Sequence, residues 1–149
     1  MKPIDKAQNI VMALGITMLI VVFNSIFFHL VFPNYNFPRF PKEILKTEIL
    51  VFICTIPPLI EEFVFRFLPL KLLSKVSIYE DIKWYAVLSS ACVFGWIHGS
   101  SVNILVQGIV GFACGYVYIK NNESYWSAVI LHALYNFTVM FIVPTLINI

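Results

Sequence analysis

The stretch IPPLIEEFVFRF, residues 56–67, places a proline pair and three ionisable side chains inside an otherwise apolar segment. A charge at the centre of a membrane helix costs roughly 2.5–3.5 kcal/mol on insertion scales, so it persists there only with a partner. Glu62 and Arg66 are four residues apart, share one helix face and can pair directly. Glu61 points about 100° away from that face and therefore needs a partner on another helix.

The composition indicates that lipid covers much of the surface. Hydrophobic residues make up 60% of the 149 residues and charged residues only 12%, whereas a soluble domain usually carries about a quarter charged residues. The mean hydropathy is +0.85. The formal net charge of +2 is too small to indicate a nucleic-acid partner.

About 20 apolar residues in a helix cross the hydrocarbon core of a bilayer. We therefore predict an all-α, multi-pass transmembrane helix bundle with about five spans. It forms a single transmembrane domain over residues 1–149, with a motif-bearing core at about residues 44–147. The proline pair should kink or break the second span, so that the two glutamates begin its second arm. The predicted spans are residues 10–32, 41–75, 84–98, 102–119 and 126–147, with a proline-containing loop at residues 33–41.

The positive charges in the loops predict the orientation. Cytoplasmic loops carry an excess of lysine and arginine, which favours a cytoplasmic N-terminus. The expected location is separate from this argument and is the plasma membrane of a prokaryote. The side chains predicted on the cytoplasmic side are Lys2, Lys6, Lys71, Lys75, Lys83 and Lys120.

Small residues in the apolar segments have structural interpretations. Gly111 and Gly115 form a GxxxG pair, with Gly108 one turn earlier, and this spacing is typical of close helix packing. The cysteines are interpreted as small buried hydrophobic residues and not as a disulfide framework or a metal site. They are Cys54, Cys92 and Cys114.

Two histidines on other predicted helices can complete a site around the acidic pair. His98 ends the third span, and His132 lies in the fifth, four residues before Asn136 and on the same helix face. A carboxylate beside a histidine can activate water as a general base, while a histidine and an amide can donate hydrogen bonds to a developing oxyanion. Zinc held by Glu61, His98 and His132 is the alternative, and spacing alone does not decide between them.

Each of these groups has a structural alternative when it is taken alone. A glutamate and an arginine at helix spacing often form a purely structural ion pair, and a histidine before a Gly-Ser turn can lie at the interface. His132 and Asn136 could join helices by hydrogen bonds. Together they favour a functional site, because three separate helices each bring a costly polar group into apolar sequence.

Three motifs, in this order and spacing, resemble the CPBP family. This family comprises the type II CAAX prenyl proteases and bacteriocin-processing proteins and is also called the abortive-infection (ABI) domain family. The motifs are Glu61-Glu62-x-x-x-Arg66, Phe94-x-x-x-His98 and His132-x-x-x-Asn136.

The resemblance implies an intramembrane endopeptidase that hydrolyses a peptide bond of a membrane-associated protein or peptide, as in CAAX-type, bacteriocin or signal-peptide processing. By similarity, Glu61 activates water together with His98, and the metal-free mechanism is favoured over one that uses zinc. Phe67 departs from the family, which usually has glycine after the arginine. The remaining roles implied by similarity are support by Glu62 and Arg66 and oxyanion stabilisation by His132 and Asn136.

Two other classes of protein remain as alternatives. A non-enzymatic bacteriocin-immunity or membrane interaction protein could keep the same motifs for structure or partner binding. An ion or proton transporter also places carboxylates in the membrane, but no inverted repeat is visible. The presence of every motif residue favours the enzyme. The expected partners are a peptide or protein substrate and the lipid bilayer.

Overall fold

The computed structural model describes residues 2–31, 46–99 and 101–142, and every regular element in these ranges is helical. The predicted all-α class is therefore confirmed for the part of the chain described. The elements are α1 (Pro3–Val31), α2 (Thr47–Glu62), a π-helical turn (Phe63–Phe67), α3 (Leu68–Leu73), α4 (Tyr79–Ile97), a 3-10 turn (Ser101–Leu105), α5 (Gln107–Lys120), α6 (Tyr125–Phe137) and a second π-helical turn (Thr138–Ile142).

Where they are described, the predicted spans are largely helical, but the fourth is not one continuous helix, because Val106 separates the 3-10 turn from α5. α2, the first π-helical turn and α3 follow one another without interruption, as do α6 and the second π-helical turn. Within the described ranges, two segments are long and apolar enough to cross a membrane by length and composition, and they are Pro3–Asn24 and Asn103–Lys120. The predicted loop at residues 33–41 and the predicted span ends at residue 32, residues 41–45 and residues 143–147 lie outside the described residues.

The proline pair does not divide the second span. α2 runs through Pro57 and Pro58 to Glu62, so the predicted break, with the glutamates at the start of a separate helical arm, is wrong, while a kink at the prolines stays a prediction. Pro57 has no N–H to bond the carbonyl of Ile53, four residues earlier. Asn136 on α6 supplies the missing donor, with Nδ2 3.3 Å from that oxygen. A neighbouring helix thus compensates the proline, which is how proline is tolerated inside membrane helices.

A second proline is compensated in the same way. Pro69 cannot bond the carbonyl of Phe65, four residues earlier, and the hydroxyl of Ser90 on α4 donates a hydrogen bond to that oxygen. The backbone before Pro69 forms the first π-helical turn, an irregularity that occurs frequently at functional sites. Arg66 lies in this turn and is buried.

α4 and α5 pack closely because glycines line their contact. A methyl group built on Gly115 would lie 2.6 Å from Val87 Cγ1 on α4, and one built on Gly108 would lie 3.1 Å from the carbonyl oxygen of Ala91. One built on Gly111 would lie 3.3 Å from Ala91 Cα. The predicted packing role of the GxxxG pair and of the glycine before it is confirmed.

Polar side chains join three elements at one end of the bundle. Asn121, which is fully buried just after α5, accepts a hydrogen bond from Asn9 Nδ2 at 2.8 Å and donates one to the carbonyl of Lys6 at 3.3 Å. Tyr79 donates its hydroxyl hydrogen to Glu123 over 2.9 Å. The starts of α1 and α4 therefore meet the turn between α5 and α6.

Gly95→Ala should lower the free energy of unfolding by roughly 1–3 kcal/mol, because it overfills a closely packed contact. The added methyl would lie 2.6 Å from Ile104 Cα and 2.8 Å from the carbonyl oxygen of Asn103, and backbone atoms cannot rotate away. Gly15→Ala in α1 is the matched control, since nothing lies within 4 Å of its added methyl. The control should stabilise the helix by roughly 0.5–1 kcal/mol. Thermal unfolding in detergent compares them, and equal melting temperatures would contradict the close contact.

Candidate functional site

Four ionisable side chains from three helical segments meet inside the bundle. Glu61 and Glu62 end α2, Arg66 lies in the first π-helical turn, and His132 lies in α6. Glu62 is 0% exposed, Arg66 1% and His132 3%. The side chain of Glu61 is 26% exposed, so of these four groups it is the one open to water or substrate.

The buried carboxylate of Glu62 bridges the arginine and the histidine. Arg66 Nε lies 3.4 Å from Glu62 Oε2, which confirms the predicted pair. His132 Nδ1 lies 2.8 Å from Glu62 Oε1. An ionised carboxylate only accepts hydrogen bonds, so Nδ1 is the nitrogen that donates.

His132 lies between the two glutamates. Its second ring nitrogen, Nε2, is 3.7 Å from Glu61 Oε2. Because Nδ1 donates to Glu62, Nε2 is an acceptor in the neutral ring and a donor only when the ring carries both protons. α6 is therefore the other helix that provides the partner expected for Glu61.

Arg66 is enclosed by α4 and α5. Its Nε donates a hydrogen bond to the carbonyl of Gly111 at 3.2 Å, and its guanidinium carbon lies 4.5 Å from the centroid of the Phe94 ring. A methyl group built on Gly111 would collide with Arg66 Nη2. The glycine therefore makes room for the guanidinium as well as for α4.

His98 occupies a more open position after the last residue of α4. Its side chain is exposed, and its Nδ1 donates to the carbonyl of Phe94 at 2.7 Å, which leaves Nε2 as the free acceptor. Sequence analysis placed His98 opposite Glu61. Among the described residues the ion-pair contact of Glu61 is with His132 of α6, and the joint action of Glu61 and His98 on water stays a prediction.

Asn136 and Phe67 both pack at the contact of α2 and α3 with α6. The hydrogen bond of Asn136 to the backbone of α2 gives it a structural function one turn beyond His132. Phe67, where the resemblance implies glycine, stacks on Phe63 at 5.5 Å and meets the ring of Tyr125 edge-on at 5.8 Å. The larger side chain therefore fills the contact between these segments.

Cys114 is a neighbour of the site that sequence reasoning missed. It is fully buried, and its sulfur lies within 4.8 Å of ligand atoms of Glu62 and His132, so the three form a group that could hold a metal ion. Cys114 lies one turn after Gly111 on α5, but the contact of Gly111 with the arginine is a tertiary one, so the sequence offered no signal for it. The three cysteines were interpreted as buried hydrophobic residues, but only Cys114 is fully buried, and Cys54 and Cys92 are half-buried.

The candidate metal ligands differ from the predicted set. Glu61, His98 and His132 do not form such a group in the described residues, which contain the group with Glu62 and Cys114 instead. The Arg66 guanidinium lies 3.4 Å from Glu62 Oε2. A cation bound there would meet this positive charge at close range, and the mutual repulsion disfavours zinc.

Glu62→Leu should lower the free energy of unfolding by about 3–5 kcal/mol, because it leaves the Arg66 charge buried without its carboxylate. Adding Arg66→Met should recover most of that loss, since an apolar pair of similar volume needs no compensation. Chemical unfolding in detergent measures both variants. A double variant as unstable as Glu62→Leu alone would contradict the view that the two charges compensate each other.

Comparison with known proteins yields a family match. No curated protein and no solved structure matches the chain. The family model described as type II CAAX prenyl endopeptidase Rce1-like matches residues 43–138, a range that contains all three motifs and confirms the resemblance found in the sequence. Members of this family are membrane proteins and proteases. The buried Glu-Arg-His network thus lies within the matched region, and the chain belongs to the Rce1-like family of type II CAAX prenyl endopeptidases.

Proposed function

We propose that the chain is an intramembrane endopeptidase that hydrolyses a peptide bond of a membrane-associated protein or peptide, with water activated by Glu61. The observation that carries this proposal is the pairing of a fully buried, charge-compensated Glu62 with a partly exposed Glu61 beside it. The neighbouring carboxylates therefore have different environments. A buried structural carboxylate next to an accessible one is an arrangement suited to general base catalysis.

The proposed reaction begins with proton transfer from water to the carboxylate of Glu61. The resulting hydroxide attacks the carbonyl carbon of the scissile peptide bond and forms a tetrahedral intermediate. Glu61 then returns the proton to the leaving nitrogen as the C–N bond breaks. His98 is accessible and has Nε2 free as an acceptor, so it can orient the water by accepting its second hydrogen.

The negative charge of the intermediate needs hydrogen-bond donors. His132 Nε2 faces Glu61 across 3.7 Å and donates once the ring carries both protons. Asn136 has a second amide hydrogen beside the one that it donates to Ile53. A donor placed where charge develops typically contributes 10²–10³-fold to the rate.

A lipid environment suits the outer surface of the bundle. Large apolar side chains on α1 and at the aromatic positions of α4 and α6 are exposed, among them Leu19, Leu30, Tyr85, Trp96 and Trp126, and such surface is costly in water.

We propose that the end holding the starts of α1 and α4 and the turn after α5 faces the cytoplasm. The predicted cytoplasmic lysines fit this end, since they lie at these element ends, in the last turn of α3 or in the turn between α3 and α4.

Glu61→Gln should lower kcat for peptide cleavage by about 10²–10⁴-fold, since the amide cannot accept the proton from water. Folding should be little affected, because this side chain is partly exposed. Glu48→Gln is the control, since Glu48 is an exposed carboxylate on the same helix. Peptidomics of cells that carry the wild type or Glu61→Ala first identifies candidate substrates. Cleavage of these peptides, prenylated and unprenylated, is then measured with and without a chelator. Full activity in Glu61→Gln would exclude the proposed mechanism.

The structural and catalytic functions of Asn136 can be separated at Pro57. Asn136→Ala should destabilise the protein by roughly 1–3 kcal/mol, because it leaves the carbonyl of Ile53 without a donor. Adding Pro57→Ala supplies a backbone N–H for that carbonyl and should restore stability. If Asn136 also donates to the oxyanion, the double variant folds normally and cleaves about 10²-fold more slowly. Recovery of both stability and kcat would limit Asn136 to its bond with α2.

A further inference from the structure

The ring of Phe94 lies at the centre of the site and is fully buried. Its centroid is 4.5 Å from the guanidinium carbon of Arg66. The rings of His98 and His132 have centroids 4.5 Å and 5.7 Å from it. One side chain of α4 thus contacts the π-helical turn, α6 and the end of its own helix. The proposed reaction gives this ring no role.

The face of the Phe94 ring stabilises the positive charge of the Arg66 guanidinium, which has few hydrogen bonds. Both terminal nitrogens of Arg66 lack a hydrogen-bond partner among the described residues, and burying such groups is costly. An aromatic face within about 6 Å attracts a guanidinium through its quadrupole, and most strongly where water is excluded. Phe65 lies farther from the same carbon, at 5.9 Å. Phe94 therefore provides the closer aromatic face.

The position of the guanidinium is transmitted to the catalytic histidine by two short contacts. Arg66 Nε is 3.4 Å from Glu62 Oε2, and Glu62 Oε1 is 2.8 Å from His132 Nδ1. Phe94 also meets the His132 ring directly, edge-on at 85°. A guanidinium that moves away from the ring would draw Glu62 with it and rotate the imidazole of His132.

We propose that Phe94 is a positioning residue for the hydrolysis, acting through the electron-rich face of its ring. The face holds Arg66, and Arg66 holds Glu62 in the place where it orients His132 Nε2 towards the negative charge of the intermediate. The proposal rests on the proposed function. It differs from a packing role because it depends on the charge distribution of the ring and not only on its volume.

Fluorinated phenylalanines at position 94 separate these two roles. Adding one, two and three fluorine atoms reduces the negative charge of the ring face while it changes the volume little. We expect kcat to fall stepwise, by about tenfold at three fluorines, with KM unchanged because the buried ring does not touch the substrate. The ¹⁵N resonances of the His132 imidazole should shift in the same order. Phe63, exposed and stacked on Phe67, is the control position, where neither quantity should change.

The outcomes distinguish this proposal from the proposed function. A stepwise fall in kcat with shifted His132 resonances supports it. Unchanged kcat and resonances across the series overturn it, as does a fall in melting temperature alone, which would leave Phe94 a packing residue. If the unmodified protein cleaves no peptide, the proposed function fails, and the His132 resonances still decide whether the ring face positions the imidazole. Phe94→Leu, which keeps an apolar side chain without a π face, should match or exceed the effect of three fluorines.

Discussion

The carboxylate of Glu62, buried between Arg66 and His132, is the interaction on which the site depends. Its Oε1 lies 2.8 Å from the imidazole nitrogen that donates to it, and its Oε2 forms an ion pair with the guanidinium at 3.4 Å without a hydrogen bond from the described residues. Without it, a fully buried positive charge would remain in the apolar interior, at a cost of several kcal/mol. Glycine at position 111 is part of the same arrangement, because its carbonyl bonds the guanidinium and its missing side chain makes room for it. The ion pair of Glu62 and Arg66 therefore also restricts which residue can stand at position 111, on another helix.

Backbone hydrogen bonding imposes a second constraint, and the same helices meet it. Two carbonyls that prolines leave without donors, those of Ile53 and Phe65, are bonded by side chains of α6 and α4. In hydrocarbon, water cannot replace those bonds, so a helix with internal prolines needs neighbours with polar side chains in register. Asn136 and Ser90 therefore fix how α6 and α4 lie against the helix that carries the two glutamates. The interhelical hydrogen bonds that hold the bundle together also place its chemistry.

Sequence reasoning predicts the parts of this arrangement that depend on local geometry. The pairing of Glu62 with Arg66 follows from helix periodicity, and the packing of Gly111 and Gly115 follows from their spacing. Sequence reasoning fails where contacts between helices determine the structure. Proline normally interrupts a helix, so the continuity of α2 could not be expected without knowing that Asn136 lies beside Ile53. The sequence also could not show which histidine contacts Glu61. Helix periodicity gives the direction of a side chain around its own helix, but not the neighbouring residue that it contacts.

The adjacent glutamates show how a helix places identical side chains in different environments. A rotation of about 100° between successive residues turns Glu62 towards the arginine and the interior, and it leaves Glu61 at the edge. His132 is the element that links them, since its two nitrogens face one carboxylate each. Glu62 is fully buried and is paired with an arginine and a histidine, so water reaches its carboxylate less readily than that of its neighbour. The neighbour with an accessible oxygen is Glu61, which is why we propose it as the proton acceptor.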